Sequence, residues 1–235
     1  MKKSTIAEIE QRFNNDVDRF SDLETGQTST IDATISLDLI TEAARRMKPD
    51  AKALLDVGCG AGNYTLQMLS KLPDLRCTLI DLSKPMLDKA FQRVTAKTNA
   101  EVSILHGDIR VLELENNSVD IILAGAVLHH LRDDSDWEFT FQKLFNLLKP
   151  DGCLMISDLI IQETKVLTYL IWEKYSIYLK ETGGTDYRDK VFKYIDQEDS
   201  PRSMTYQLDL MRKVGFDKVE ILHKNTCFGA FAGIK

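Results

Sequence analysis

A short run near the first quarter of the chain, LLDVGCGAG at residues 54–62, combines a carboxylate with three glycines on alternate positions. Glycine permits positive φ angles and has no Cβ, so a ligand can approach the backbone closely. An apolar stretch leads into the run, and a helix-compatible stretch follows it. A strand, a tight turn and a helix together place a ligand at a helix N-terminus. The run therefore predicts a ligand-binding turn in an α/β protein.

The spacing of the glycines separates two families of cofactor-binding turns. A dinucleotide fingerprint reads G-x-G-x-x-G, and its third glycine would fall here on Asn63, which disfavours a nicotinamide-dependent oxidoreductase. The run instead resembles motif I of the class I S-adenosylmethionine-dependent methyltransferases, with Asp56 ahead of the glycines. The resemblance implies that Asp56 orients the charged tail of S-adenosyl-L-methionine, or the loop itself. The loop residues expected to contact this cofactor, or its product S-adenosyl-L-homocysteine, are Gly58, Cys59, Gly60 and Gly62.

Acidic residues follow the next two predicted strands. In an open parallel sheet a ligand lies outside the carboxyl ends of the strands. Asp81 ends the second predicted strand, where a carboxylate can accept hydrogen bonds from both ribose hydroxyls. Asp108 follows the third strand and can accept from an adenine amino group, while the Ile109 N–H serves a ring nitrogen. Each acid alone is equally typical of a helix cap or a turn, so the prediction depends on the whole set.

Apolar and small residues complete the predicted cofactor site. Leu82 and Met86 are placed to sandwich the adenine, and methionine suits an irregular apolar slot. Ala124 and Gly125 end the fourth predicted strand with small side chains, which leaves room for the methionyl part of the cofactor.

The resemblance extends over residues 54–235 and is strongest to one branch of the methyltransferase family. Segments 81–87, 107–110, 148–152 and 214–216 are similar to motifs of the branch that contains carboxy-S-adenosylmethionine synthase, which serves tRNA wobble-uridine modification. Two positions depart from that enzyme, since Ala124 replaces an asparagine and Leu210 replaces the arginine that binds the cofactor carboxylate. Arg202 or Arg212 is a possible substitute for that arginine. The departures favour ordinary methyl transfer, with a synthase-like activity as the alternative.

The alternation of strand and helix patterns from residue 53 onward predicts an α/β fold with a parallel sheet covered on both faces. The resemblance implies a Rossmann-like, doubly wound sheet of seven strands, six parallel and one antiparallel, with the seventh beside the sixth. Amphipathic helices at 5–23 and 31–47, joined by a loop at 25–30, make residues 1–50 an N-terminal lid region before a domain at 51–235. Lid candidates are Phe20 and residues 30–33. Two helices broken at Gly183-Gly184 form a cap inserted at about 160–200.

Two histidines and one aspartate are the candidates for proton transfer. His129 and His130 follow the fourth strand, and imidazole titrates near neutral pH. Asp158 ends the fifth strand and faces the same mouth. A structural role is favoured over catalysis at each of these positions, with one histidine capping the following loop and the other packing under it. No metal site is expected, because two histidines adjacent in sequence do not readily face one ion and no further ligand follows at ligand spacing.

Composition limits the partners of the 235-residue chain. The net charge is −6 and no long basic block is present, so a surface that tracks nucleic-acid phosphates is disfavoured and tRNA is a possible but less favoured partner. Four separated cysteines and the absence of a signal peptide or a long apolar run predict a soluble cytoplasmic protein with no membrane contact. We expect a small-molecule acceptor and a monomer or homodimer, and a cofactor-binding module without turnover is the remaining alternative.

Overall fold

The computed structural model describes residues 3–22 and 26–235 and contains one sheet of seven strands in the order β3-β2-β1-β4-β5-β7-β6. The strands are β1 (Ala53–Val57), β2 (Arg76–Asp81), β3 (Val102–His106), β4 (Val119–Gly125), β5 (Leu148–Leu159), β6 (Lys218–Asn225) and β7 (Phe228–Ile234). Only β7 runs antiparallel to its neighbours, β5 and β6. The prediction of a doubly wound sheet with six parallel strands and one antiparallel strand is confirmed.

The helices of the described residues alternate with the strands. They are α1 (Ile6–Asn15), α2 (Val17–Ser21), α3 (Ala33–Met47), α4 (Asn63–Lys71), α5 (Lys84–Thr95), α6 (Asp134–Leu147), α7 (Lys165–Glu198) and α8 (Met204–Val214). Local sequence explains where several of them begin. The Ser83 hydroxyl caps α5, and Ser203 caps α8 in the same way. Thr5 and Glu8 form a reciprocal capping box at α1.

Both faces of the sheet are buried, as a parallel sheet requires. Leu54 packs on one side with α3, α4 and α5, whereas the next residue, Leu55, packs on the other side with α6 and α8. All five residues of β1 are buried. The four cysteines are buried and free, as expected for structural thiols. No helix within residues 3–22 and 26–235 is long and apolar enough to span a bilayer.

The predicted boundaries hold for most elements, and β5 is the main difference. We expected a turn at residues 149–152 and a strand from Cys153, but β5 begins at Leu148, which pairs with Val119 before a register shift. The predicted N-terminal helix is divided at Asp16, and Leu23 and Thr25, at the ends of the predicted helix and loop, lie outside the described residues. The cap consists of two helices that meet at a kink at Gly184 (φ 82°, ψ −177°), as the sequence predicts for the Gly183-Gly184 pair, and α7 includes both.

Candidate functional site

Two adjoining cavities lie at the carboxyl ends of the parallel strands. The first has a volume of about 410 Å³ and extends from the turn after β1 to the inner side of α7. The second, of about 270 Å³, lies between the ends of β2 and β3 and helix α1. Both are lined by Gly58, Asp81, Leu82, Val127 and His130, so they form one continuous crevice. Its position, where the strand order reverses between β1 and β4, is the usual ligand site of an open α/β sheet.

The glycine turn has the backbone that its sequence predicts. Gly60 and Gly62 have φ angles of +51° and +85°, which favour glycine. A Cβ on Gly60 would meet no heavy atom within 4 Å, so the cavity itself occupies that space. A Cβ on Gly62 would lie 3.3 Å from Ala90 of α5, so Gly62 serves close helix packing and does not line either cavity. Cys59 lines the first cavity, and burial raises the pKa of its thiol well above the usual range.

Asp81 joins the glycine turn to the end of β2. Its Oδ2 accepts a hydrogen bond from the Gly60 N–H at 2.8 Å, and its Oδ1 accepts one from the Ser83 N–H at 2.8 Å. The carboxylate is half-buried and faces both cavities. Each carboxylate oxygen has further lone pairs available for a ligand hydroxyl.

The second cavity contains the residues predicted for a purine base. Asp108, Ile109 and Leu82 all line it. The Asp108 carboxylate accepts hydrogen bonds from Nε of Arg110 at 3.0 Å. Burial alone would raise the pKa of Asp108, but the contact with Arg110 outweighs this effect and lowers the pKa. Ile6 and Ile9 of α1 close the cavity from above. Met86 lies apart from this group, in the lining of the first cavity.

Two predicted cofactor residues lie behind the crevice and do not line it. Ala124 is fully buried in the core on the α6 side of the sheet, whereas Gly125 lines the first cavity. Asp56 is 1% exposed, and its Oδ2 accepts a hydrogen bond from the Thr65 hydroxyl at 2.6 Å. Asp56 therefore connects β1 to α4 and orients the loop from behind, which is one of the two roles expected for it.

The three predicted proton-transfer residues come together in the first cavity. Asp158 accepts hydrogen bonds from His129 Nδ1, from the His129 N–H at 3.0 Å and from the Leu159 N–H at 2.8 Å. Burial alone would lower the pKa of His129, but the charges of Asp158 and Asp199 raise it to about 9. His130 stands beside His129, with 4.3 Å between the ring centroids.

Asp199, which no sequence pattern indicated, completes this cluster from the end of α7. Asp199 Oδ1 lies 3.2 Å from His130 Nδ1 and 3.7 Å from His129 Nε2. The sequence predicts that two adjacent histidines do not readily face one ion, but the short 3₁₀ turn at Leu128–His130 brings a ring nitrogen of each histidine near this carboxylate. Asp199 is distant from both histidines in sequence, so no local spacing could have indicated the contact.

The N-terminal segment and the cap close the crevice from above. Arg12 donates from Nε to both Glu198 oxygens at 2.8 Å, and its guanidinium lies over the rings of Phe13 and Tyr194. Phe20 and Thr30, both predicted lid residues, line the first cavity. The Phe20 carbonyl accepts a hydrogen bond from Asn63 Nδ2 at 3.0 Å, which ties the lid to the start of α4. The sequence had not indicated Arg12 or Glu198.

No substitute for the missing carboxylate-binding arginine lies at the predicted positions. Leu210 is 5% exposed and packs in the core. Arg202 is paired with Asp134, and Arg212 with Asp209. Neither arginine lines the two cavities described here.

The sheet order and the glycine turn define a protein of the Rossmann-like α/β class, in which ligands bind at this edge of the sheet. Residues 54–152 match the family model described as a methyltransferase domain. The chain is 35% identical over 122 residues to a malonyl-[acyl-carrier protein] O-methyltransferase from Halalkalibacterium halodurans, covering 51% of this chain and 43% of that protein. It is 22% identical over 201 residues to a carboxy-S-adenosyl-L-methionine synthase from Nautilia profundicola, covering 85% of this chain and 84% of that one.

A solved structure supports the same fold. The 1,6-didemethyltoxoflavin-N1-methyltransferase from Burkholderia thailandensis, with S-adenosylhomocysteine bound, superposes with a TM-score of 0.66 at 14% identity and covers 100% of this chain and 92% of that one. The chain therefore resembles S-adenosylmethionine-dependent methyltransferases, in sequence over residues 54–152, which is less than half of its length, and in its fold. The chain spans less than half the length of the malonyl-[acyl-carrier protein] relative.

Proposed function

We propose that the protein transfers the sulfonium methyl group of S-adenosyl-L-methionine to a small-molecule acceptor held in the first cavity. The observation that carries this proposal is the carboxylate of Asp81, which fixes the Gly60 N–H and faces both cavities. The open space at Gly60 and the acid beside it fit the cofactor's nucleoside, with ribose hydroxyls donating to Asp81. Asp108 and Ile109 are assigned to the adenine, and Met86, Cys59 and Gly125 to the part of the cofactor in the first cavity.

The cofactor supplies a methyl group that is already activated, so the chain mainly has to bind, align and exclude water. Such positioning contributes on the order of 7–11 kcal/mol to lowering a reaction barrier. The aromatic residues Phe13, Phe20, Tyr175 and Phe228 line the chamber and keep it largely apolar. Tyr175 donates its hydroxyl proton to the Ser29 carbonyl at 2.7 Å, so its ring and not its hydroxyl is left for an acceptor. These contacts support a compact organic acceptor rather than a polymer.

Methyl transfer is favoured over carboxy-S-adenosylmethionine synthesis by the charges at the cluster. A synthase must bind an additional carboxylate, yet Leu210 is apolar and buried where that enzyme has its arginine. Around the two histidines the cavity presents Asp158, Glu198 and Asp199, and Arg12 is already paired with Glu198. Carboxylates repel another carboxylate at short range, so these three acids disfavour the carboxylated cofactor, whereas Arg19 and Lys190 in the same cavity act in the opposite direction. The apolar residue at position 210 is therefore the stronger argument for methyl transfer.

Calorimetry with S-adenosyl-L-homocysteine tests the cofactor site without turnover. We expect micromolar binding by the wild type and at least tenfold weaker binding by Asp81→Asn, since each charge-assisted hydrogen bond contributes about 1.5–3 kcal/mol. Asp74→Asn, at an exposed aspartate outside both cavities, is the matched control and should bind normally. The absence of binding heat with wild type would refute the proposal.

Native mass spectrometry of the purified protein separates the two enzymatic alternatives. An adduct with the mass of S-adenosyl-L-methionine or its homocysteine product is the expected result. An adduct with the mass of the carboxylated cofactor would contradict methyl transfer and support the synthase. Transfer of a labelled methyl group to one member of a panel of small hydroxyl and amine compounds then distinguishes an enzyme from a binding module.

A further inference from the structure

The imidazoles of His129 and His130 and the carboxylate of Asp199 form a cluster with the composition of a metal centre. Their ligand atoms all lie within 4.8 Å of one another. Asp199 Oδ1 is 3.2 Å from His130 Nδ1 and 3.7 Å from His129 Nε2. Nitrogen and oxygen ligands bound at 2.0–2.2 Å to a tetrahedral ion are roughly 3.3–3.5 Å apart. The contact between His130 and Asp199 is near this spacing and the contact between His129 and Asp199 is slightly longer, so small side-chain movements would bring the three ligand atoms around one ion.

The surroundings of the cluster have the hydrogen bonding of a metal site. A histidine that ligates through one ring nitrogen almost always donates from the other to a carboxylate or carbonyl. His129 Nδ1 contacts Asp158 in this way, which leaves Nε2 directed at Asp199. Asp158 is in turn fixed by the backbone N–H groups of His129 and Leu159. The first imidazole is thus held in the orientation that ligation needs.

The second imidazole directs a ring nitrogen at the same carboxylate. His130 Nδ1 is buried and lies 3.2 Å from Asp199 Oδ1, a contact that helps to lower the pKa of Asp199 but does not have the geometry of a regular hydrogen bond. A buried contact with imperfect geometry leaves room for an ion between the two atoms. The edge of the His130 ring packs against Phe13, with 5.8 Å between the centroids, so the ring is also held in place.

We propose that His129, His130 and Asp199 bind one divalent transition-metal ion, with Asp158 orienting His129. Two imidazoles and one carboxylate select zinc, cobalt, iron or manganese over magnesium and calcium, which prefer oxygen ligands. All three ligands line the first cavity, so the remaining coordination positions are open to the acceptor chamber. If the proposed function holds, the ion would bind an acceptor hydroxyl and lower its pKa, so that the proton passes to solvent water. The acceptor oxygen would then form a bond to the methyl carbon as the bond from that carbon to the cofactor sulfur breaks.

The test is titration of chelator-treated, full-length protein with cobalt(II) chloride, followed by visible absorption, and with zinc chloride in a calorimeter. We expect one ion per chain and the intense visible bands of low-coordinate cobalt. His130→Ala and Asp199→Asn should weaken binding by about 100-fold or more, and Asp158→Asn by roughly 10–100-fold. His223→Ala is the control, since His223 pairs with Asp32 away from the cluster.

Each outcome separates this proposal from the proposed function. Cobalt binding that is absent in wild type, or equal in all four variants, refutes the metal site. If a ligand variant fails to bind S-adenosyl-L-homocysteine or melts at a lower temperature, His129→Gln provides the second comparison. Wild type that binds S-adenosyl-L-homocysteine but no cobalt refutes the metal centre alone. Wild type that binds cobalt but no S-adenosyl-L-homocysteine refutes the proposed function alone.

Discussion

Asp56 shows how a residue in a cofactor motif can act without touching the cofactor cavity. Its carboxylate is 1% exposed and receives a 2.6 Å hydrogen bond from Thr65. Burial raises the pKa of Asp56 to about 7, the Thr65 hydrogen bond opposes this, and the charge of Asp81 adds to it. An aspartate in the unfolded chain titrates near 3.9. The folded protein therefore binds a proton more tightly at this position than the unfolded chain does.

The pH dependence of stability follows from that difference. Because the folded pKa is raised, the stabilising contribution of Asp56 is complete below about pH 4 and is lost as pH rises through about 7. Asp56→Asn cannot ionise and keeps an oxygen acceptor for Thr65. We expect wild type to lose on the order of 2–4 kcal/mol more unfolding free energy than Asp56→Asn between pH 4 and pH 8.

Urea unfolding of both proteins across this range measures the effect. Asp74→Asn, at an exposed position, should follow the wild-type pH profile. Parallel profiles for wild type and Asp56→Asn would show that Asp56 stays ionised in the fold.

At the scale of residues, the sequence predicted which residues lie near the crevice better than the direction in which each side chain points. Asp81, Leu82 and Gly125 line the cavities as expected, because each closes or follows a strand whose end is fixed by the sheet. Ala124 was predicted to contact the cofactor, but its side chain does not line the cavities. Side chains alternate along a strand, and the Cβ of Ala124 points into the core. Asp199 could not be predicted from the sequence, because it contacts the histidines only when the cap is folded.

Gly60 and Gly62, two glycines of the turn between β1 and α4, have different surroundings and different roles. The cavity occupies the space beside Gly60, whereas Ala90 and Val94 of α5 occupy the space beside Gly62. Both residues have positive φ angles, so an alanine at either position is strained by about 1–2 kcal/mol. Only Gly62 adds tight contacts with a neighbouring helix. The two positions therefore separate the effect of the turn on ligand binding from its effect on stability.

We expect Gly62→Ala to lower the unfolding free energy by about 2–3 kcal/mol, the backbone strain plus overpacking against α5. Gly60→Ala should lower it by only about 1–2 kcal/mol but weaken S-adenosyl-L-homocysteine binding at least tenfold, because the new methyl group enters the cavity. Urea titration and calorimetry on the same preparations give both quantities. The division of roles fails if Gly60→Ala binds the ligand as wild type does.

Helices were predictable from the sequence where the periodicity of apolar residues and the capping residues indicate the same boundaries. The cap at Ser83, the proline at position 85 and the apolar stripe that follows predict a helix that ends at about Ala96, and α5 spans Lys84–Thr95. The start of β5 was not predictable, because LKPDG at residues 148–152 has the composition of a turn. Pairing between Leu148 and Val119 extends the strand through that segment, and such pairing is a property of the assembled sheet.

At the scale of the whole molecule, the N-terminal segment, which contains helices α1 and α2, lies over the crevice. Helix α1 supplies the upper walls of both cavities, and three contacts fasten the segment to the rest of the chain. Asn14 accepts a hydrogen bond from the Ser83 hydroxyl at 2.7 Å, Asn63 donates to the Phe20 carbonyl, and Arg12 pairs with Glu198. Helices α1 and α2 cover part of a crevice that is otherwise open, so their movement would widen the exit of a ligand. We therefore expect the Arg12–Glu198 pair to slow ligand release.

Arg12→Met tests this expectation because methionine keeps apolar contact with Phe13 and loses the charge. Glu198 would then be left 5% exposed without its partner, which destabilises the closed arrangement. We expect S-adenosyl-L-homocysteine to dissociate about tenfold faster, a change of ~1.4 kcal/mol. Stopped-flow displacement measures the rate, and hydrogen exchange should show loss of ligand-induced protection within residues 6–21 while the sheet stays protected.

Arg46→Met is the matched control, since Arg46 is 73% exposed in its pair with Glu42 on α3. An unchanged dissociation rate in Arg12→Met would mean that release is limited elsewhere, because the pair would then contribute nothing to closure.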